Sequence, residues 1–474
     1  MERKERMINL AEVVKATGGR CDWSGADARS LEFTGVNTDT RTIRKGELFI
    51  ALKGEKFDGH AYAGKAVEAG AAGIVASGPV SVPAGTAVVY VADTLKAYQD
   101  IAHAWRMGFP DLKVVAITGS NGKTSTKDMV AAVLSTKYNV VKTQANFNNE
   151  VGLPKTLLNI RPDTQIAVVE MGMRALGQIR AMCAIACPDT AVITNVGSTH
   201  LGELGSLDNI AKAKSEILED LPKDGFAVLN GDLPRVRAMA PKLHVPCAWF
   251  GFQDGDDVRA EAVEITADGS SFRCLAGGEE AAVTMPQIGE HNVMNALAAI
   301  AVGQHFGVKL NDMVKALAGL ALTGSRQEVL HFGPYTVIND AYNASPASME
   351  AAFATLERLK ASSKAPCRTI AVVADMLELG SLSAEAHAEV GRLAAKTRTD
   401  LLVSYGTETA HTQEAAEAAG IPAWHFADRG GAEAKLKEIL RPGDIVLLKG
   451  SHSMQVNGLI DTVFKKLESD KDRG

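Results

Sequence analysis

At 474 residues, with 46% hydrophobic content and 44 glycines, the chain is too long for one core and reads as a globular α/β protein of about three domains. Its formal net charge of −6 gives no electrostatic case for binding nucleic acid or an anionic membrane, so any anionic substrate must be held by local groups. The opening MERKERMINL lacks an apolar core and no run approaches the ~18 to 20 apolar residues of a spanning helix, so a cytoplasmic protein without membrane insertion is expected. Six scattered cysteines, of which only Cys183 and Cys187 are close, read as reduced structural thiols.

In chain order, residues 1–110 carry their own strand signals at Leu48–Leu52, Gly73–Ala76 and Ala87–Val91, with a boundary at Gly108-Phe109-Pro110-Asp111. From 111 to 322 apolar strands alternate with helices: Val114–Thr118, Ile166–Val169, Ala191–Thr194 and Phe226–Leu229 imply a mainly parallel central sheet. Between Val258 and Met285 the pattern turns short and glycine-punctuated, as in antiparallel hairpins, ahead of a helix at Glu290–Phe306. Residues 323–474 contain three more strand-like runs, Thr336–Asn339, Thr369–Ala374 and Ile445–Leu448, between alanine- and glutamate-rich helical stretches. This third part reads as a Rossmann-like, doubly wound domain.

The segment VVAITGSNGKTSTKDM, Val114–Met129, is the most informative. A buried strand, a tight glycine loop and an amphipathic helix follow one another, the arrangement that cradles phosphate. Thr118, Gly119, Ser120, Asn121, Gly122, Lys123, Thr124 and Ser125 are the candidate nucleotide-binding residues. Glycines admit backbone N–H groups close to an anion, Lys123 reaches terminal phosphates, and the Thr124 hydroxyl is placed to hold Mg²⁺. Where the longer P-loop has an extra upstream glycine this chain has Ile117, so it carries the shorter G-x-x-G-K-T form. Glu170, directly after the Ile166–Val169 strand, stands at the same sheet edge and could bind Mg²⁺ as a Walker B carboxylate does.

Ser206 is a good N-cap and Pro222 a terminator for a helix over Leu207–Asp220. Its apolar stripe includes Lys214, while Lys212, Glu216 and Glu219 fall on the opposite face. Two readings stay open: a snorkelling side chain, or an amine whose desolvation lowers its pKa and frees it for chemistry. His200, in a glycine-rich loop just upstream, is placed to fold back toward Lys214 and the phosphate loop.

TGSNGKT (118–124), NFNNEVGLP (146–154), VVEMG (168–172), the His200 to Lys214 interval within AKAKSEI, and GEHNVMNALAA (289–299) together resemble the Mur ligase family over nearly the whole chain. The resemblance implies that Lys214 is carbamylated and binds metal, that His200 holds a second Mg²⁺, and that Asn292 and Asn295 belong to the ATP site, Asn295 reading adenine. As i,i+3 neighbours the two amides share a helix face, although a capping role for Asn292 is equally compatible. NTDTRTIRKGELFIALKGEKFDGHAYAGKAVEAGA (37–71) resembles a UDP-sugar-binding domain of the family, which implies UDP-substrate contacts at Asp39, Thr40, Arg41, Lys53, Gly54, Asp58 and His60. LTGSRQEV (322–329), NDAYNASPASM (339–349), VVADMLELG (372–380) and LLKGSHSM (447–454) resemble family members that add a dipeptide. They imply Arg326 near the ATP phosphates, Asp340 at the ribose, and Asn343, Lys449 and Ser451 near the incoming dipeptide. His452 stands where the resemblance leads one to expect arginine, Thr40 where serine is common, and the D-N-P-R signature of diaminopimelate-adding relatives is absent.

The implied activity is an ATP-dependent amide ligase joining UDP-N-acetylmuramoyl tripeptide to D-alanyl-D-alanine with two Mg²⁺ ions, as a monomer. A carboxylate is a poor electrophile, so the tripeptide would first attack the ATP γ-phosphate, with Lys123, His200 and Lys214 as the catalytic set, and the resulting acyl phosphate would accept the dipeptide amine. Alternatives are a tripeptide-forming relative, a folylpolyglutamate synthase-like ligase, which would not need the 37–71 pattern, and a P-loop ATPase or kinase, which would leave Lys214 without a role.

Overall fold

Besides a two-stranded antiparallel pair, 8–9 with 32–33, β-branched and apolar runs form three larger sheets among the described residues, each built around a parallel core buried on both faces. The computed structural model describes residues 7–23, 27, 30–54, 57–266, 268–321, 327–363 and 365–471. No helix among them is long and apolar enough to cross a membrane.

The first sheet has the spatial order 20–22, 87–90, 73–76, 48–50, 36–37, parallel except for the antiparallel pair at 20–22. The helix Thr94–Met107, capped by the Asp93 side chain, closes one of its faces. That helix also reaches the central sheet: Trp105, Ile101, Leu112, Val114 and Ile179 share one apolar core. The Trp105 indole donates to the Ile160 carbonyl at 3.2 Å, and Arg106 to the Ala186 carbonyl at 3.0 Å.

The central sheet has nine strands. Six, from 140–142 through 166–170, 113–118, 190–193, 226–230 and 247–251, run parallel, the strand 258–266 continues them, and an antiparallel hairpin 269–276/279–285 finishes the edge. Strand 113–118 lies between 166–170 and 190–193, so the crossovers depart in opposite directions from it. This is a topological switch point, where open α/β sheets place ligands beyond the strand carboxyl ends. Register brings Glu170 beside Ile117 and Ile193 beside Thr118. The helices Lys123–Ser135 and Glu290–His305 cover one face in a common core with Val115, Ile117, Val168 and Val192.

The third sheet has the order 328–332, 335–340, 445–449, 369–374, 401–405, 423–426, parallel but for its first hairpin. It contains six strands, where the sequence predicts three. The helix expected over 207–220 stops at Ser215 and tightens into a 3₁₀ turn at Glu216–Leu218. Its Ser206 cap forms as expected, accepting from Asn209 N at 3.1 Å. Glu216 is not on a solvated face. It is buried, and its carboxylate accepts from Gly177 N at 2.7 Å and Arg180 N at 3.1 Å, satisfying the open amides of the helix Gln178–Ala186.

Candidate active site

The phosphate loop begins where strand 113–118 ends. The Thr118 hydroxyl donates to the Met171 carbonyl at 2.8 Å, tying the loop base to the adjacent strand. Gly119 (φ 156°) and Gly122 (φ 78°) adopt backbone conformations that L side chains avoid. A Cβ on Gly122 would meet Asn295 Oδ1 at 2.5 Å. Ser120 Oγ donates to the Gly197 carbonyl at 3.0 Å, and Asn121 N donates to Asn195 Oδ1 at 2.9 Å. The loop is thus braced from the next switch-point strand, whose Thr194 hydroxyl donates to the Asn121 carbonyl at 2.7 Å. Thr194 and Asn195 are missing from the sequence-derived site; their only signal is their position at a strand end.

Gly122 caps the helix Lys123–Ser135, whose N-terminus faces the loop. Lys123 Nζ donates to the carbonyls of Gly119 at 2.8 Å and Ser120 at 3.2 Å, so engaging a phosphate means exchanging these bonds. Ser125 is buried on the first helical turn. Thr124 Oγ1 donates to Glu170 Oε2 at 2.7 Å, while Asn148 Nδ2 donates to Glu170 Oε1 at 2.8 Å. Glu170 is buried at the strand end, its amide held by the Thr143 hydroxyl at 3.0 Å. Thr124 and Glu170 therefore present two hard oxygens side by side, a donor set that suits Mg²⁺.

Asn292 and Asn295 lie on the buried face of the helix Glu290–His305. Asn295 Oδ1 accepts from the Thr126 hydroxyl at 3.0 Å, its Nδ2 donates to Asn292 Oδ1 at 3.2 Å, and Asn292 Nδ2 donates to the Ile288 carbonyl at 2.9 Å. This amide chain supports the phosphate loop from below. Gly289 holds the N-cap position, not Asn292.

Lys214 is 2% exposed, on the buried side of the helix Leu207–Ser215. Burial, reinforced by the Lys123 charge, pushes its pKa well below the ordinary lysine value, and its amine has no hydrogen-bond or ion-pair partner among the described residues. An unsatisfied ammonium there would be costly, so the pattern favours the neutral amine. His200 stands just before the short helix Leu201–Leu204 in a left-handed conformation, φ 65°. Burial, Lys123, Lys214 and Arg174 together lower its pKa to about 4. Lys123, His200 and Lys214 thus share one electrostatic environment. His200 also falls with Glu203 and Glu378 in a group whose ligand atoms lie within 4.8 Å of one another.

From the third domain, Lys449 Nζ donates to Asp340 Oδ2 at 2.7 Å and to the Asn343 carbonyl at 3.0 Å, so these three come together. Ser451 Oγ accepts from Leu377 N at 2.9 Å. Ser345 Oγ donates to Asn121 Oδ1 at 3.3 Å, linking this domain to the phosphate loop. Arg326 lies outside the described residues.

The first-domain residues form a separate group. The Arg41 guanidinium pairs with Asp39 at 2.6 Å around the turn that holds Thr40, and hydrogen bonds from Arg41 lower the Asp39 pKa to about 2. Lys155, from the central part, adds to that lowering. Lys53 and Asp58 form an isolated bridge around Gly54, and His60 connects Asp58 to Ser77 N, which donates to Nε2 at 2.8 Å.

A glycine phosphate loop at the switch point of a parallel sheet, backed by a buried threonine–glutamate pair, defines an α/β nucleotide-binding protein of the P-loop type. Three family descriptions match it in succession: "Mur ligase family, catalytic domain" over residues 32–117, "Mur ligase middle domain" over 117–303, and "Mur ligase, glutamate ligase domain" over 325–452. The UDP-N-acetylmuramoyl-tripeptide–D-alanyl-D-alanine ligase of Bacillus subtilis (strain 168) is 39% identical over 468 residues, 98% of this chain and 99% of that one. The chain belongs to the Mur ligase family. A crystal structure of MurF from Acinetobacter baumannii is similar at a TM-score of 0.88 with 31% identity, covering 97% of this chain and 99% of that chain. The MurF ligase of Thermotoga maritima, solved in complex with ADP, matches at 0.81 with 27% identity, covering 92% and 98%.

Proposed function

We propose that this chain joins D-alanyl-D-alanine to the terminal carboxylate of UDP-N-acetylmuramoyl tripeptide, converting ATP to ADP and phosphate and producing a pentapeptide precursor of peptidoglycan. The observation that carries this reading is the near end-to-end similarity to the Bacillus subtilis ligase of that name. The ADP complex of the Thermotoga maritima relative supports ATP as cosubstrate.

Residues 1–110 supply the UDP-sugar site around Asp39, Thr40, Arg41 and the Lys53–His60 loop. Residues 111–322 hold ATP on Thr118–Ser125 with Asn292 and Asn295, and residues 323–474 take the dipeptide near Asn343, Lys449 and Ser451, with Asp340 at the ribose and Arg326 at the phosphates. Support comes from the loop geometry and from the Asp340–Lys449–Asn343 cluster. A carboxylate oxygen of the tripeptide attacks the γ-phosphorus as the bond to ADP breaks, leaving an acyl phosphate. Lys123, released from the loop carbonyls, follows the charge of the transferred group. The dipeptide amine then attacks the acyl carbon, loses a proton, and expels phosphate from the tetrahedral intermediate. Docking of the third domain on the loop, as through Ser345 and Asn121, excludes water from the acyl phosphate.

The side chains fit divalent ions. Thr124 and Glu170 would hold one Mg²⁺; His200 and a carbamylated Lys214 would hold the other, since a neutral buried amine adds to CO₂ and sheds a proton to become a carboxylate-like ligand. When bound, Mg²⁺ supplies charge neutralisation on the phosphates. A single chain contributes every group named, which fits a monomer, and dependence on ATP and unpaired cysteines fit a cytoplasmic location.

The test is ATP-dependent phosphate release with each substrate omitted in turn, using tripeptides ending in diaminopimelate or lysine. Release that needs both the UDP-tripeptide and D-alanyl-D-alanine is expected. Release with a dipeptide substrate plus a single amino acid, and none with D-alanyl-D-alanine, would reassign the chain to a tripeptide-forming reaction.

A further inference from the structure

Glu378 has been given no role above, yet it is a third-domain residue that reaches His200. Its carboxylate stands between two central-domain side chains, with Oε1 3.0 Å from the Arg174 guanidinium and Oε2 3.2 Å from His200 Nδ1. The loop that carries it is tightly determined. Asp375 accepts the amides of Thr407 at 2.8 Å and of Glu408 and Thr409 at 3.0 Å. Met376 N donates to His387 Nε2 at 2.9 Å, and Leu377 N to Ser451 Oγ at 2.9 Å. Glu378 itself takes φ 65°, a costly conformation for a residue with a side chain, kept here by this surrounding network. Across the interface Gly202 leaves room for the loop: a Cβ there would meet the Glu378 carbonyl and Gly380 N at 3.2 Å.

His200 Nδ1 is buried and, apart from this carboxylate, without a partner among the described residues; at 3.2 Å the two atoms are adjacent but not aligned as a hydrogen bond. A histidine that ligates metal through one ring nitrogen almost always gives its other N–H to a carboxylate, carbonyl or water, which fixes tautomer and ring orientation. We infer that Glu378 is a positioning residue: its carboxylate accepts a hydrogen bond from the Nδ1–H of His200, so that Nε2 is presented to the metal only when the third domain is docked on the central one. Glu378 acts through His200, and the largely exposed Arg174 only pairs with the other carboxylate oxygen. Because Ser451 holds the same loop, the histidine's orientation is tied mechanically to the neighbourhood proposed for the dipeptide. The inference rests on the assignment of His200 as a metal ligand.

The test is Mn²⁺ binding to the full-length protein, followed by electron paramagnetic resonance with a non-hydrolysable ATP analogue and bicarbonate present. Glu378→Leu should weaken the second ion by about 10- to 100-fold and leave the first unchanged. Glu378→Gln, whose carbonyl still accepts a hydrogen bond, should lose less than the leucine variant. Arg174→Ala, which removes only the exposed ion pair, should stay within about threefold of wild type. Equal Mn²⁺ affinity in Glu378→Leu and wild type, or a loss in Arg174→Ala matching that of the leucine variant, would overturn the inference. His200→Ala separates the two layers. If it leaves the second ion in place, the metal assignment of His200 fails; if it removes the ion while Glu378→Leu has no effect, only the positioning role fails.

Discussion

The Thr124 hydroxyl donates to Glu170 Oε2 at 2.7 Å across 46 positions of sequence, joining the phosphate-loop helix to the end of the neighbouring parallel strand. The pair is buried, and the second glutamate oxygen is taken by Asn148. A metal at this edge would meet two prearranged oxygens. Thr124→Val keeps the volume and removes one. Its kcat should fall by about 10²-fold, the order found on losing one preorganised group, with a raised Mg²⁺ requirement. An unchanged Mg²⁺ titration would exclude Thr124 from the metal site.

Lys123 Nζ donates to the carbonyls of its own phosphate loop, so its loss should touch chemistry more than folding. Lys123→Ala is expected to lower kcat by about 10²- to 10³-fold, roughly 3 to 4 kcal/mol of transition-state stabilisation. The melting temperature should move little. Retained turnover would remove Lys123 from the γ-phosphate.

Lys214 occupies an apolar position without a partner for its charge among the described residues. Lys214→Met should therefore raise the melting temperature while abolishing most activity, because it relieves an uncompensated buried polar group and deletes the proposed ligand. Lys214→Arg should also be inactive. A carbamate signal after incubation with ¹³C-bicarbonate should appear in wild type and vanish in both variants; near wild-type turnover of the arginine variant would end the carbamate reading.

His291 is half-buried, and burial with the nearby Lys449 and Arg358 charges lowers its pKa to about 4. Below the unfolded histidine value of about 6.5 the unfolded chain binds a proton that the folded chain refuses until about pH 4, so stability falls as pH falls through this window. His291→Gln should be the more acid-tolerant by about 2 kcal/mol near pH 4, allowing for partial exposure. Parallel denaturation curves for the two proteins between pH 7 and 4 would contradict this.

The Asp39–Arg41 pair sits on the first domain, separate from the phosphate loop. Arg41→Ala should raise KM for the UDP-tripeptide at least several-fold and leave KM for ATP unchanged. An equal rise for ATP would place the pair elsewhere in the reaction.

Strand Val114–Thr118, the glycine loop and the following helix were legible in the sequence because β-branched periodicity, positive-φ glycines and helical spacing are local properties of adjacent residues. For the same reason the Ser206 cap, the hairpins after Val258 and the anomaly of Lys214 could be read directly. Strands Leu401–Tyr405 and Ala423–Phe426 were not, since short apolar runs carry too little periodicity to separate strand from helix. Polar partnerships were the other blind spot. Glu216 has the helical phase of a solvated residue, yet the amides of a different helix claim it. Asn148 on Glu170, Asn195 on Asn121 and Glu378 on His200 are likewise long-range meetings. Sequence alone determined which backbone segments could form and which faces they would bury. Only the tertiary structure decided which charge meets which, because a side chain's partner depends on how separate sheets dock and not on the residues beside it in the chain.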